Sequence, residues 1–346
     1  MVADGRRLAR RLPVDGGMKA SRLRADARVL KGILDGALLH PYRPLVAHLV
    51  VTRRCNLSCG YCFEYDKVSP PVPLEVLRER VDHLARLRAV FVTLTGGEPL
   101  LHPEVAAVVD HVRARGMTPV MNTNGFLLTR ERIVELDAAG LYALQISIDN
   151  LQPNQTSVKS LRPLLPKLRA LAELASFRVR VNTVLGSGPP EETLEVARAV
   201  LALGFEAKCS LMRAEDGTPV PLDERSRAVY AELQELGRRS SFYLSEDFQA
   251  RLLRDGALDW KCRAGARFFH VCEKGLVHLC APRTGDPGVP LADYGEEDLR
   301  RAFRTAKPCT ARCPVAYAHQ ASRLDRWRSQ DLAAPPPARR LLPVLQ

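Results

Sequence analysis

From residue 46 the chain alternates between short apolar, largely β-branched runs and longer segments with helical periodicity. The runs predict strands at 46–52, 89–95, 117–123, 142–148, 177–185 and 205–212, and the segments between and after them predict helices at about 74–88, 103–115, 129–139, 159–175, 189–203 and 222–239. Six consecutive βα units require a parallel sheet with right-handed crossovers. Because no G-x-G-x-x-G follows the first run, we expect an α/β fold with a partial (β/α)6 barrel of the TIM type rather than a Rossmann sheet.

This alternation stops near residue 255, and the sequence divides accordingly into four parts. Residues 1–45 form a basic, largely helical N-terminal extension, and 46–240 form the barrel. Residues 255–320 contain the later cysteines, and 325–346 form a Pro/Arg-rich tail. We expect 255–320 to be a small cysteine-rich domain that is held together by metal rather than by a core of its own.

Residues 18–39 predict a basic amphipathic helix within the N-terminal extension. Its apolar positions recur at roughly helical spacing: Leu23, Leu30, Ile33, Leu34 and Leu38. We expect this face to dock on the main domain, with a membrane surface as the alternative. No apolar run approaches the ~20 residues of a membrane span, and the N-terminus lacks the apolar segment of a signal peptide. The prediction is a cytoplasmic protein, with peripheral membrane contact left open.

Three cysteines lie in one short loop after the first predicted strand. The segment RRCNLSCGYCF (53–63) contains Cys55, Cys59 and Cys62 at C-x3-C-x2-C spacing. In a reducing compartment, clustered cysteines are more often metal ligands than disulfides. A structural zinc site needs four ligands, and no fourth ligand lies nearby. A cuboidal iron–sulfur cluster bound by only three thiolates would keep one iron free of protein ligands.

Polar residues also follow the next predicted strands. TGGEP (95–99) ends the second strand, NTNG (122–125) the third and SIDN (147–150) the fourth, and Asn182 lies within the fifth. Since β/α barrels keep their active sites at the carboxyl ends of their strands, these residues and the cysteine loop should share one rim. Asn-Gly also suits a plain turn and Asp149 a helix cap, and both alternatives stay open.

The cysteine loop and GGEP together resemble the radical S-adenosylmethionine (SAM) superfamily, over about residues 46–212. The resemblance implies a [4Fe–4S] cluster on the three loop cysteines, with SAM bound at the open iron. It also implies reductive cleavage of SAM to a 5′-deoxyadenosyl radical, driven by an external reductant such as flavodoxin or ferredoxin. The implied SAM contacts are Tyr61, Gly96, Gly97, Glu98, Thr123, Asn124, Ser147, Asp149 and Asn182.

Four later cysteines resemble the C-terminal Twitch or SPASM extension of the same superfamily. Cys262 and Cys280 enclose a C-x12-G-x4-C hairpin, and Cys309 and Cys313 follow as C-x3-C. The resemblance implies one auxiliary [4Fe–4S] cluster bound by these four residues. Structural zinc stays open as an alternative, because four cysteines suit it equally.

The remaining two cysteines belong to neither set. Cys209 lies alone in an apolar strand and is interpreted as a small core residue. Cys272 lies between Val271 and Glu273 on the first strand of the hairpin. For Cys272 we leave open both core packing and substitute ligation of the auxiliary cluster.

The net charge of +12 is concentrated at the two ends of the chain. Basic ends mildly favour an anionic small molecule or a lipid headgroup as substrate, although a solvated surface explains them as well. Nucleic acid is not expected as a partner. Enzymes with such extensions also modify peptides, so a peptide substrate and a separate peptide-recognition protein stay open.

The prediction is therefore a radical SAM enzyme, an oxidoreductase or transferase, that abstracts hydrogen from an organic substrate with the help of an auxiliary cluster. The substrate is a small molecule, a lipid or a peptide. The alternative is an electron-transfer or redox-sensing iron–sulfur protein without radical catalysis. That alternative accounts for the cysteines but not for GGEP or the polar strand ends.

Overall fold

A computed structural model describes residues 16–214, 216–240 and 248–328 of the chain. Its α-helices are α1 (Gly16–Leu38), α2 (Leu74–Arg86), α3 (Val105–Ala114), α4 (Arg130–Ala138), α5 (Leu165–Leu174), α6 (Pro190–Ala202), α7 (Glu224–Ser240), α8 (Phe248–Asp255), α9 (Glu296–Arg304) and α10 (Ala316–Arg323). Its strands are β1 (Val46–Thr52), β2 (Phe91–Gly96), β3 (Thr118–Thr123), β4 (Ala143–Ser147), β5 (Arg178–Leu185), β6 (Glu206–Leu211), β7 (Phe268–Val271), β8 (Leu276–His278) and β9 (Pro287–Pro290).

Within the described residues the nine strands form one sheet, in the order β6-β5-β4-β3-β2-β1-β7-β8-β9. Strands β1 to β6 pair in parallel with their sequence neighbours. β7 adds in parallel to the free side of β1, and β8 and β9 continue antiparallel. Because β6 and β9 are separate edges, the barrel does not close. The predicted partial barrel with a cysteine-rich C-terminal region is confirmed.

The six predicted barrel strands begin and end within two residues of those in the structure, whereas the helix predicted for 159–175 is wrong at its start. A short 3₁₀ turn, Arg162–Leu164, precedes α5, and the residues before it form a polar loop. In that loop the Asn154 side chain accepts from the backbone N–H groups of Thr156 and Ser157 at 2.9 and 2.8 Å. Such Asx turns compete with the helix for backbone donors.

Side chains alternate between two faces of the sheet, as in any pleated strand. On β5, Val179 and Val181 point outward and join the main hydrophobic core beneath the helices. The residues between them, Arg180 and Asn182, are half-buried and point the other way. This polar inner face is where the barrel offers room for chemistry.

Helix α1 docks on the barrel as expected, but with the opposite face. Leu23, Leu30 and Leu38 are 68%, 58% and 68% exposed. The docked face instead contains Gly32, whose Cα approaches Val90, and Gly36, whose Cα approaches Leu45. Glycine lets the helix backbone come this close to the barrel. The helix therefore docks through its glycine face rather than through the face that carries the leucines.

The cysteine-rich C-terminal segment shares both the sheet and part of the core of the barrel. Through β7 it hydrogen-bonds to β1, and Cys262 and Cys280 lie in a hydrophobic cluster with Leu45 and Val90. The first part of the N-terminal extension (1–15) and most of the tail (329–346) lie outside the described residues. Among the helices that are described, none is both long and apolar enough to cross a membrane.

Candidate active site and a second cysteine site

The cysteine loop that follows β1 is seated on the two glycines that end β2. Gly97 donates its N–H to the Thr52 carbonyl at 2.9 Å. A Cβ atom on Gly97 would overlap the carbonyl oxygens of Arg53 and Arg54, and one on Gly96 would overlap that of Thr52. The glycines of GGEP are therefore required for the close approach of β2 to the base of the cysteine loop.

Glu98 ties the ends of β2 and β3 together. Its fully buried carboxylate accepts from the Thr123 hydroxyl at 2.6 Å, the Asn124 N–H at 2.7 Å and the Leu100 N–H at 3.0 Å. Burial raises the pKa of Glu98, and the donors from Thr123 and Asn124 oppose that rise. Since its oxygens are occupied by protein donors, Glu98 acts by holding Asn124 in place.

Asn124 in turn reaches the first cysteine. Its side-chain NH2 donates to the Asn56 side chain at 2.8 Å and lies 3.8 Å from the Cys55 sulfur. The Leu57 N–H also points to this sulfur, at 3.4 Å. Burial raises the pKa of Cys55, while the Leu57 N–H favours its thiolate and opposes that shift.

A second network connects the other two cysteines to β4 and β5. Asp149 accepts from the hydroxyls of Tyr61 and Ser157 at 2.8 and 2.6 Å and from the Val184 N–H at 3.1 Å. Tyr61 immediately precedes Cys62, and Ser157 lies 3.9 Å from the Cys59 sulfur. The carboxylate of Asp149 therefore holds the part of the loop next to Cys62, whereas Asn124 contacts the part next to Cys55.

Lys159 completes this network. Its ammonium donates to the Tyr61 hydroxyl at 2.8 Å and lies 4.9 Å from the centre of the tyrosine ring. Burial lowers the pKa of Lys159. Tyr61 and Asp149 raise it by more than burial lowers it, so the pKa lies above that of a free lysine. The amine is therefore held in its charged form beside the cysteine loop.

The inner face next to this network presents polar and charged side chains. Ser147 and Asn182 are register partners on β4 and β5, and the Asn182 amide oxygen accepts from the Ser210 hydroxyl at 2.8 Å. Lys208 is the β6 partner of Asn182. Burial lowers the pKa of Lys208 to about 7, with Arg180 nearby adding to this shift.

Sequence analysis did not identify Ser157, Lys159 or Asn56 as site residues. Lys159 lies where the start of a helix was predicted, and Ser157 lies two residues before it in the same polar loop, where no periodicity singles them out. Asn56 directly follows the first cysteine of the motif, and this adjacency was the one available signal. All three act through partners that are 65 residues or more away in the sequence.

The residues at this rim fit an iron–sulfur cluster and a small cofactor. Three soft sulfur donors, Cys55, Cys59 and Cys62, lie on one loop, as iron–sulfur chemistry requires. The glycine pair seats the base of this loop, and Ser147 and Asn182 provide hydrogen-bonding groups on the inner face. The arrangement can therefore bind the cluster together with a polar ligand.

The later cysteines form a second set gathered from three segments. Cys262 and Cys280 are buried, and Cys309 and Cys313 flank a 3₁₀ turn, Thr310–Arg312. Burial raises the pKa of Cys313 to about 12, and Cys262 and Cys309 lie near enough to contribute. Within the part of the chain that is described, no three His, Cys, Asp or Glu side chains lie as close together as ligands of a single metal ion do.

The two other cysteines lie apart from both sets. Cys272 follows β7, and its carbonyl accepts from Arg80 of α2 at 3.4 Å. Cys209 on β6 packs against the hydrophobic cluster of α6 and α7, and burial raises its pKa to about 12. Packing therefore describes the environment of Cys209.

Neutral aromatic groups lie between the two cysteine sites. His48 of β1 packs edge-on against Phe268 of β7 and Tyr317 of α10, with ring centres 4.9 and 5.1 Å apart. Burial lowers the pKa of His48 to about 4 and that of His270 on β7 to about 3. Because Tyr317 lies only four residues after Cys313 and packs against His48 of β1, the second site borders the inner face of the barrel.

Comparison with known proteins places the chain in one superfamily. Residues 49–212 match the sequence profile of the Radical SAM superfamily. A GTP 3′,8-cyclase from Aeromonas hydrophila is 33% identical over 298 residues, covering 75% of this chain and 84% of the relative. A PqqA peptide cyclase from Xanthomonas oryzae pv. oryzae is 27% identical over 285 residues, covering 74% of this chain and 73% of the relative.

The fold is shared with solved structures of low sequence identity. Streptococcus suis SuiB bound to the precursor peptide SuiA superposes with a TM-score of 0.60 and 13% identity, over 89% of this chain and 76% of that one. SuiB bound to S-adenosylmethionine gives a TM-score of 0.55 and 14% identity, over 78% and 67% of the two chains. The chain belongs to the radical SAM superfamily of enzymes, which use a [4Fe–4S] cluster, S-adenosylmethionine and an external reductant.

Proposed function

We propose that Cys55, Cys59 and Cys62 bind the [4Fe–4S] cluster at which this enzyme cleaves SAM. The observation that carries the proposal is the seating of the cysteine loop on Gly96 and Gly97, beside a polar inner face. When bound, the cluster and SAM supply a 5′-deoxyadenosyl radical that abstracts hydrogen from the substrate. The protein's own contribution is to orient both ligands and to exclude water and competing hydrogen donors.

The predicted SAM-site residues divide into contacts and positioning residues. Ser147, Asn182 and Tyr61 contact SAM, since they present polar or aromatic groups at the rim; Tyr61 lies beside the adenine. The carbonyls of Gly96 and Gly97 accept from the methionyl ammonium. Glu98, Thr123, Asn124 and Asp149 are positioning residues, because their hydrogen bonds connect the strand ends to one another and to the cysteine loop.

We propose that Cys262, Cys280, Cys309 and Cys313 bind one auxiliary [4Fe–4S] cluster. The support is that four thiols from three segments come near one another at the border of the barrel's inner face. Four thiolates would leave no iron open to the substrate, so the cluster serves electron transfer or supports the substrate-facing wall. Structural zinc is the alternative, and metal analysis separates the two.

The substrate that we propose is a peptide. One relative acts on the PqqA peptide, and the inner face presents both signs of charge, with Arg180 and Glu206 paired at 2.8 Å beside Lys208. A peptide offers matching donors, acceptors and charges. A nucleotide is the second candidate, because another relative is a GTP 3′,8-cyclase.

The test uses anaerobically reconstituted protein with SAM and dithionite. We expect 5′-deoxyadenosine to form, and deuterium from a substrate labelled at the reacting carbon to appear in it. Deuterated synthetic peptides and deuterated GTP are compared as candidate substrates. Transfer of deuterium to 5′-deoxyadenosine from GTP but from no peptide would overturn the peptide assignment. Retained SAM cleavage after Cys59→Ala would overturn the cluster assignment itself.

A further inference from the structure

The second cysteine site adjoins more buried positive charge than its surroundings neutralise. Among residues 248–328, as described in the structure, three Arg or Lys side chains are buried: Arg263, Arg267 and Lys307. The one buried carboxylate in this segment is Asp325. An uncompensated charge in the protein interior is strongly unfavourable.

Asp325 forms hydrogen bonds with Arg267 and with neither Arg263 nor Lys307, although its charge also favours the cationic form of Arg263. Arg267 binds it through Nε and Nη2 at 2.8 and 2.9 Å, and neither side chain has exposed surface. Arg328 approaches the same carboxylate at 3.2 Å. The pair of Arg267 and Asp325 is therefore complete without Arg263 or Lys307.

Arg263 and Lys307 make hydrogen bonds only to neutral groups among the described residues. The Arg263 guanidinium donates through Nη1 to the Phe303 carbonyl at 2.6 Å and lies 3.9 Å from the centre of the Phe303 ring. Its Nε and Nη2 atoms are buried without a partner. The Lys307 ammonium donates to the Ala302 carbonyl.

The Cys262 thiol is the main nearby source of negative charge for Lys307, whereas the charge of Arg263 is offset first by Asp325 and then by Cys262. Arg263 directly follows Cys262, and Lys307 precedes Cys309 by two residues. Asp286 is partly exposed and pairs with Arg283 at 2.7 Å. Ligating thiolates would therefore supply the charge that Lys307 lacks and add to the charge that Asp325 supplies to Arg263.

We propose that Arg263 and Lys307 are positioning residues that hold the second site for an anionic, thiolate-bound iron–sulfur cluster and raise the reduction potential of that cluster. This inference rests on the proposed auxiliary cluster. A [4Fe–4S]2+ cluster with four thiolates has a net charge of −2, and reduction by one electron makes it −3. Nearby cations stabilise the more negative form, so they make the cluster easier to reduce.

The experiment measures the second cluster alone, in a Cys55→Ala/Cys59→Ala/Cys62→Ala background. Lys307→Met removes the charge at nearly constant side-chain length, and Lys307→Arg keeps it. Lys274→Met removes the same charge from an exposed position of the hairpin. The readouts are iron content and the midpoint potential, from an anaerobic titration with dithionite that is followed by visible absorption.

We expect Lys307→Met to lower the midpoint potential of the cluster by at least about 59 mV. At a fixed solution potential, this shift lowers the ratio of reduced to oxidised cluster at least tenfold for a one-electron couple. Lys307→Arg and Lys274→Met should leave it within threefold. Loss of iron in Lys307→Met alone, with an unchanged far-ultraviolet circular dichroism spectrum, supports the holding role.

An unchanged potential in Lys307→Met overturns this inference while the auxiliary cluster stands. A background variant that contains no iron, or one equivalent of zinc, overturns the auxiliary cluster and this inference with it. An equal drop of potential in Lys274→Met also overturns the inference, because the effect would then not depend on burial.

Discussion

The two cysteine sites are built in opposite ways. The first takes three thiols from one loop, residues 55–62, whereas the second takes four from segments spread over 262–313. Buried carboxylates, Glu98 and Asp149, lie beside the first, with Lys159 offsetting part of their charge. The second adjoins cations without carboxylate partners. We infer that the first site suits an electron donor of low potential and the second an electron acceptor.

The largest expected effect separates the two sites by function. Replacing any one of Cys55, Cys59 or Cys62 with alanine should abolish 5′-deoxyadenosine formation, because the three-thiolate site loses a ligand. Cys309→Ala/Cys313→Ala should still cleave SAM but should not form product. Chromatography of 5′-deoxyadenosine and product measures both.

Cys209→Ala serves as the control for that comparison and should keep both activities. About eight irons per chain are expected in the wild type, and about four in either set of variants. Product formation at the wild-type rate by Cys309→Ala/Cys313→Ala would show that the second site does not serve the reaction.

The next effect tests how the first loop is seated. Gly97→Ala places a methyl group against the carbonyl oxygens of Arg53 and Arg54, so the loop must move. A displacement of about 1 Å costs on the order of 100-fold in rate, and we expect at least that loss in SAM cleavage. Gly295→Ala is the matched control, since a Cβ there meets no atom within 4 Å. Equal rates for the two variants would contradict the seating argument.

A smaller effect is expected from the charge beside the first site. Lys159→Met removes the donor to Tyr61 and leaves Asp149 without its nearby cation. Hydrogen bonds to charged groups contribute about 1.5–3 kcal/mol, so the KM for SAM should rise about 10- to 100-fold. Iron content should stay unchanged, as it should in Lys274→Met. A loss of iron without a change in KM would assign Lys159 to the cluster instead.

The smallest effect concerns the neutral boundary between the sites. The pKa of His48 is lowered by burial from 6.5 to about 4, so the unfolded chain takes up the proton first as the pH falls. This contribution to stability is complete above pH 6.5 and is lost progressively toward pH 4, by roughly 3–4 kcal/mol. His48→Phe should therefore weaken the dependence of the free energy of unfolding on pH between pH 4 and 6.5.

Urea unfolding at several pH values measures the His48 effect. Above pH 7, the free energies of unfolding of wild type and His48→Phe should change with pH in parallel, because His48 is neutral in both the folded and the unfolded state. Parallel curves between pH 4 and 6.5 as well would show that His48 is not held neutral by its surroundings.

Local patterns predicted the barrel well because strand and helix periodicity are short-range properties. β1 was predicted at its observed bounds, Val46–Thr52. The helix predicted from residue 159 failed at its start because the backbone of Lys159 and Leu161 bonds to Asp149 and Asn150 instead. The docked face of α1 was wrong because leucine spacing reports amphipathicity but not which face a neighbour can approach closely.

The sequence by itself determined the βα alternation, the C-x3-C-x2-C loop and GGEP, and with them the superfamily. Each of these depends on residues that are close together in the chain. Only the tertiary structure decided that Glu98 holds Asn124 in place, that Lys159 supports Tyr61, and that Arg263 and Lys307 lie beside thiols without a carboxylate partner. Those relationships join segments that are far apart in the sequence, and charge compensation depends on burial and distance, which no local pattern encodes.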